Sequence, residues 1–156
     1  MNMNQPQVTI RKICPEDESR WRDLFDAYNR FYGREPSEPV NRHAWERIMD
    51  PNSPVHAIVA HDATGRIVGI ANYVIHEGTT QLTPLCYLQD LIVDEQERGG
   101  GIGEKLIDWL IEEMNLQGWS RLYWNTKETN YRARGLYDKY TPHSGFLRYV
   151  VVNPSA

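Results

Sequence analysis

Between Arg98 and Gly103 the chain reads R-G-G-G-I-G. Glycine inside a helix lowers its stability by roughly 1 kcal/mol relative to alanine, so bare backbone must serve a purpose there. The run lies between an apolar stretch, Leu85 to Val93, and a helical pattern from Gly101 to Gln117. The first N–H groups of a helix lack internal partners and together carry about half a positive charge. Glycines let a phosphate approach those N–H groups and let the turn adopt positive φ. Arg98 adds a fixed cation with fork-like donors. Strand, Arg-Gly loop and helix in this order form a diphosphate cradle. It is neither of two familiar kinds. Glu104 and Leu106 occupy the positions where a dinucleotide fingerprint needs its last glycine, and no Gly-Lys-Ser/Thr of a triphosphate loop is present.

Asp90 is the second chemically pointed residue. A carboxylate inside an apolar run is expensive unless paired. It is a candidate to bind a cationic amine or accept its proton, directly or through water; the alternative is a hydrogen bond to a neighbouring loop. Gln89, beside it, cannot accept a proton at neutral pH. The five histidines show no metal-ligand spacing, and no metal site is expected. His43 and His143 fall in regions that could border an acceptor pocket. Cys14 and Cys86 stand far apart without a C-x-x-C pair and read as buried thiols.

The elements that must position these groups follow from periodicity. "VTIRKI" alternates as a strand. In "PEDESRWRDLFDAYNRFYG" apolar residues recur at Trp21, Leu24, Phe25, Tyr28, Phe31 and Tyr32 with helical spacing, and Gly33 closes the helix. "REPSEPV" reads as a loop and "NRHAWERIMD" as a short helix. "VHAIVAHD" and "RIVGIANYVIH" are strands joined by the hairpin signal "ATGR". "LCYLQDLIV" is apolar enough for an interior strand. Ile102, Leu106, Leu110 and Met114 stripe the next helix, which Gly118 stops. "RLYWNT" is a strand, "NYRARGLYDKY" a helix and "GFLRYVVV" a final strand. The order βααβββαβαβ predicts an α/β (α+β) fold, a mixed sheet flanked by helices.

Length and composition bound the rest. The 156 residues, 40% apolar and 24% charged, suit one globular domain over residues 1–156, with 1–7 as a flexible lead. The net charge of -4 speaks against nucleic acid and mildly for a cationic partner. No apolar run reaches the roughly 20 residues of a membrane span, and the polar start lacks a signal pattern; a cytoplasmic protein is expected.

Arg98, Gly101 and Gly103 spell R-x-x-G-x-G, and with "YLQDLIVDE" before them and "YWNTKETNYRARGLYDK" after them the chain resembles the GCN5-related N-acetyltransferase (GNAT) family over residues 8 to 152. "RDLFDAYNRFYG" and "WERIMDP" are most similar to its yeast-type histone and polyamine acetyltransferase branch, which includes D-amino-acid acetyltransferases. The resemblance implies the GNAT fold, with a mostly antiparallel central sheet, and acetyl-CoA as cofactor. It implies that Arg98, Gly99, Gly100, Gly101, Ile102 and Gly103 hold the pyrophosphate. The backbone of Leu91, Ile92 and Val93 would hold the pantetheine arm, and Asn130 would contact the coenzyme. Within N-x-x-A-x-x-x-Y (Asn130, Ala133, Tyr137) it implies that Tyr137 donates a proton to the departing sulfur; by spacing alone Tyr137 is a core aromatic. Asp90, Gln89, Tyr28 and Tyr32 would face the acceptor, where aromatic faces can hold a cation. The spacing of Tyr28 and Tyr32 equally suits a buried helix stripe. Two departures stand out: Gln89 replaces the glutamate that spermidine/spermine-type relatives carry, and "KYTPHSGF" replaces a short K-x-G-F turn.

The expected activity is transfer of acetyl to a small primary amine, polyamine or amino-acid-like, by direct attack in a ternary complex. Cys14 and Cys86 lie outside the expected site, which argues against an acetyl-cysteine intermediate. The alternatives are a protein lysine as acceptor and a CoA-binding sensor without catalysis. The terminal "FLRYVVV" either finishes its own sheet or pairs across a homodimer.

Overall fold

A computed structural model describes residues 7–156; residues 1–6, most of the expected flexible lead, lie outside the described residues. The chain divides into two compact units, one ending at Trp124 and the other comprising Asn125–Ala156.

The first unit is built on a five-stranded sheet in the order β1-β2-β3-β4-β5. Strands β1 (Thr9–Lys12), β2 (Val55–His61), β3 (Ile67–His76) and β4 (Leu85–Val93) are antiparallel neighbours, and β5 (Arg121–Tyr123) pairs parallel to β4. The β2–β3 turn forms as its sequence predicts. Gly65 takes φ +88°, and Asp62 Oδ1 accepts from the N–H groups of Thr64 and Arg66 and from the Thr64 hydroxyl.

Helix α1 (Glu18–Phe31) follows a 3-10 turn at Pro15–Asp17, and Gly33 at φ +73° turns the chain out of it. Its Trp21 and Leu24 are buried with Trp45 of α2, Val59, Ile67, Ile70 and Ile92 in one core cluster. Phe31, expected in the same stripe, is instead 63% exposed. Helix α2 (Glu38–Met49) begins three residues before the expected start. Ser37 Oγ accepts from Val40 N, and Pro39 occupies the first turn, where its missing N–H costs nothing. Helix α3 (Ile102–Gln117) buries Ile102, Leu106, Ile107 and Leu110 against the opposite sheet face, closed by Gly118 at φ +76°. Gly69 permits that contact, because a Cβ there would stand 2.8 Å from the Ile102 side chain and 3.2 Å from the Ile92 carbonyl. Each face of the sheet thus carries its own apolar layer.

The second unit contains the short helix α4 (Tyr131–Tyr137). The expected final strand is not formed: residues 145–152 pair with no strand. Their composition favours β-structure, but a strand exists only through a hydrogen-bonded neighbour, which local sequence does not supply. Phe146, Leu147, Tyr149, Val150, Val151 and Val152 remain exposed. No helix among the described residues is long and apolar enough to cross a membrane.

Candidate active site

The cradle has the local form expected of it. After β4, Asp94 accepts from Gln96 N and its carbonyl from Glu97 N, making one 3-10 turn at Glu95–Glu97. Gly99 and Gly101 then adopt φ +87° and +77°. Open space lies where their Cβ atoms would be, so glycine is required there by conformation rather than by crowding. Gly101 is the N-cap of α3, and no side chain caps that helix. Glycine at that position supplies no cap of its own to the N–H groups that open the helix. Arg98 lies 4.0 Å from Glu95 and rests its guanidinium 5.5 Å from the centre of the Phe31 ring. That contact gives the exposed Phe31 a role.

Asp94 ties this loop down. It accepts from Arg20 of α1 and, at 3.0 Å, from Arg66, while Arg20 Nε donates to the Ile67 carbonyl at 3.0 Å. Burial pushes the Asp94 carboxyl up, but the Gln96 N–H and the two arginines more than offset this and hold it below the usual carboxylate range. Its sequence trace is an acid placed directly after an apolar strand.

Strand β4 is irregular where the chemistry is expected. Opposite β3, Asn72 pairs with Asp90 but Tyr73 with Leu88, so Gln89 is the extra residue of a bulge. On the other side β5 pairs only with Leu85, Cys86 and Tyr87. Leu91, Ile92 and Val93 pair with Ala71, Ile70 and Gly69 of β3 and have no strand on the β5 side. Backbone groups on that side of β4 are thus placed for a ligand to hydrogen-bond.

The cost of burying Asp90 is offset mainly by side chains of β3 and α1. Trp21 Nε1 donates to Asn72 Oδ1 at 2.9 Å, which turns the Asn72 amide nitrogen toward Asp90, where it donates at 3.1 Å. The Tyr28 hydroxyl is a second donor. Burial still prevails: the Asp90 carboxyl is raised above the usual range, partly offset by Asn72, by the charge of Arg34 and by Tyr28. Tyr28 also packs on the core cluster, so it serves both roles that its spacing allowed. Its ring meets Tyr32 edge-on at 4.9 Å, and the Arg34 guanidinium carbon lies 5.8 Å from Tyr28 and 5.5 Å from Tyr32. Asn72 and Arg34 were not anticipated. A lone amide in "RIVGIANYVIH" and a cation just after the helix-closing Gly33 are their only sequence traces.

Of the remaining predicted residues, Asn130 caps α4, its Oδ1 accepting from Ala133 N at 3.4 Å, and Tyr137 ends that helix half-buried. Both belong to the second unit. Cys86 is fully buried and its thiol is pushed up to about 12 by burial, which removes it as a nucleophile. Among the described residues no group of three His, Cys, Asp or Glu side chains could hold a metal ion.

A family model for the acetyltransferase (GNAT) family matches residues 21–141. The chain belongs to that family. This acetyltransferase is 30% identical over 138 residues to the D-amino-acid N-acetyltransferase HPA3 of Saccharomyces cerevisiae, covering 88% of this chain and 86% of that protein. Among solved structures, a ribosomal-protein-alanine N-acetyltransferase from Brucella melitensis superposes with a TM-score of 0.79 at 22% identity, covering 94% of this chain and 100% of that one. AAC(6')-Iy, solved with a CoA-linked bisubstrate analogue, gives 0.79 at 16% identity over 94% and 99%. The family establishes an acetyl-CoA-dependent N-acetyltransferase. The glycine-capped, side-chain-free start of α3, with Arg98 beside it, fits that coenzyme's diphosphate.

Proposed function

We propose that this acetyltransferase acts on the primary amine of a small molecule, polyamine or amino-acid-like, by direct attack in a ternary complex. The observation that carries the reading is Asp90: a half-buried carboxylate, fixed by Asn72 and Tyr28 beside the bulge in β4. The similarity to HPA3 supports it.

Bound acetyl-CoA supplies the activated acetyl group. The N–H groups at the start of α3 and the Arg98 guanidinium would hold its diphosphate, and the backbone of Leu91, Ile92 and Val93 would hold its pantetheine arm, as the family resemblance implies. A lysine-like amine has a pKa near 10.4, so freeing its lone pair at pH 7.4 costs about 4 kcal/mol. Asp90 lies where it can hold the ammonium and take up its proton at a carboxylate oxygen; its raised affinity for protons suits that task. Gln89, at the bulge, lines the same place as a neutral hydrogen-bonding group. The family resemblance implies that Tyr137 would give its phenolic proton to the departing sulfur and that Asn130 would contact the coenzyme.

The test is turnover with acetyl-CoA on spermidine, free amino acids and a lysine-containing peptide. Acetylation of a free small amine supports the reading. Acetylation of the peptide alone, or of nothing, overturns it.

A further inference from the structure

Turning an ammonium into an amide removes two protons from one nitrogen. The first leaves before attack and the second as the C–N bond forms. Asp90 has room for one of them. A second acceptor stands on the same face of the sheet.

Asn72, Val74 and His76 alternate onto one face of β3. Asp90 stands opposite Asn72 and Tyr87 opposite Val74, so the extra residue Gln89 turns Tyr87 to the face that carries Asp90. Without it, two positions three apart on β4 would point to opposite faces. The two rungs are about 7 Å apart along the strand. Tyr123 of β5 pairs with Tyr87 and stacks on it, with ring centres 5.1 Å apart and planes within 16°. Beyond that rung β4 and β5 no longer pair, so Tyr123 stands at the closed end of the gap along Leu91, Ile92 and Val93.

The Tyr123 hydroxyl lies 2.6 Å from His76 Nε2. The other ring nitrogen, Nδ1, lies 2.8 Å from the Glu77 carbonyl, which can only accept. Nδ1 therefore carries the hydrogen, Nε2 accepts from Tyr123, and the tautomer is fixed. The Tyr123 oxygen keeps lone pairs to accept a proton from its other side. Burial and the neighbouring Tyr87 make this phenol hold its own proton more tightly than usual, partly offset by Arg121, whose guanidinium carbon lies 5.7 Å from the ring centre. Such a phenol passes a proton on as it receives one and does not dwell as a phenolate.

We propose that Tyr123 and His76 form a proton relay for the second proton. Tyr123 meets the reacting amine, directly or through one water, and His76 is where the proton ends. This rests on the amine being held at Asp90. As the C–N bond forms, an N–H bond breaks and its proton goes to the Tyr123 oxygen, while the Tyr123 O–H breaks and that proton goes to His76 Nε2. The resulting imidazolium donates from both nitrogens, to the Glu77 carbonyl and to Tyr123, and its half-buried ring then releases the proton to water. Two protons leave the nitrogen, through Asp90 and His76, and one returns through the group that protonates the sulfur; the net is one proton released.

The experiment measures single turnovers of the acetyl-CoA-loaded protein with whichever of spermidine, free amino acids and the lysine peptide the wild type uses best, and KM for both substrates. In His76→Gln the amide oxygen still accepts from Tyr123 but takes up no proton, so a structural clamp survives and the relay does not. His76→Gln and Tyr123→Phe should each slow the turnover about a hundredfold, with both KM values within a factor of about two and circular dichroism unchanged. Imidazole should restore at least about tenfold to His76→Ala and nothing to His76→Gln, whose side chain fills the place. If His76→Gln or Tyr123→Phe keeps the wild-type rate, if the loss falls on KM alone, or if imidazole rescues nothing, the relay is wrong. Asp90→Asn separates the two ideas: its impairment beside intact His76 and Tyr123 variants leaves the Asp90 reading standing. Absence of turnover on every acceptor sinks both.

Discussion

Asn72 donates to Asp90 across 3.1 Å, with its amide oxygen held by Trp21 on the other side. Asn72 is almost fully buried, so the amide has no freedom to turn over. Asn72→Leu should therefore do two things. It leaves the buried Trp21 N–H without its acceptor, at a cost of about 1–3 kcal/mol in a denaturant titration. It also strips Asp90 of a donor and moves the acid limb of the kcat/KM profile to higher pH. An unchanged profile would show that Asn72 merely fills space.

The titration of Asp90 has a defined sign. Its carboxyl is raised in the folded protein by burial, so the native state holds that proton more tightly than the unfolded chain does. Asp90 is then least costly when protonated, and stability declines as pH rises from the ordinary carboxylate value near 4 through the raised one. Asp90→Asn should melt higher than the wild type at neutral pH, with the gap closing as pH falls through that window. Activity should move the opposite way, falling at least about tenfold at neutral pH as the ammonium site is lost.

The cradle predictions concern the coenzyme alone. Arg98→Ala should raise the KM for acetyl-CoA about tenfold, the value of one charged contact, with a much smaller change in the amine KM. Gly101→Ala forces an L side chain into φ +77°, a strain of about 1–2 kcal/mol, and should show the same selectivity. Isothermal titration with CoA measures both directly.

Tyr137→Phe should lower kcat by about a hundredfold while CoA affinity stays within a factor of about two, if the phenol serves as the acid. Loss of CoA affinity instead would mark Tyr137 as a packing residue of α4.

Residues 146–152 expose six large apolar side chains. If a second copy covers them, Val151→Asp should lower the mass seen by light scattering. A wild-type monomer would set that association aside.

What the sequence disclosed about this molecule is what is local. The stripe Ile102, Leu106 and Leu110 defines α3, and R-x-x-G-x-G defines the turn that feeds it, because both are written in consecutive residues. The bulge at Gln89 was hidden, since it exists only in the pairing of β4 with β3. The same holds for residues 145–152, whose strand-like composition lacks a partner, and for Phe31, whose ring meets an arginine distant in sequence. Asn72 acts through Trp21 and Asp90, both far along the chain, and Arg34 bears on Asp90 only once the fold brings the end of α1 to β4. Asp90 could be flagged as costly, but only the fold shows which neighbours offset that cost.

Gly69 decides more than its own strand. With 2.8 Å between an imagined methyl and Ile102, the end of α3 is seated against the sheet by an atom that is missing. Adding it would lift that end of the helix, and a displacement of about 1 Å is enough to cost a reaction two orders of magnitude when the reacting atoms depend on the seat. A coenzyme held at the start of α3 would thus take its alignment from a glycine of β3 beneath that helix.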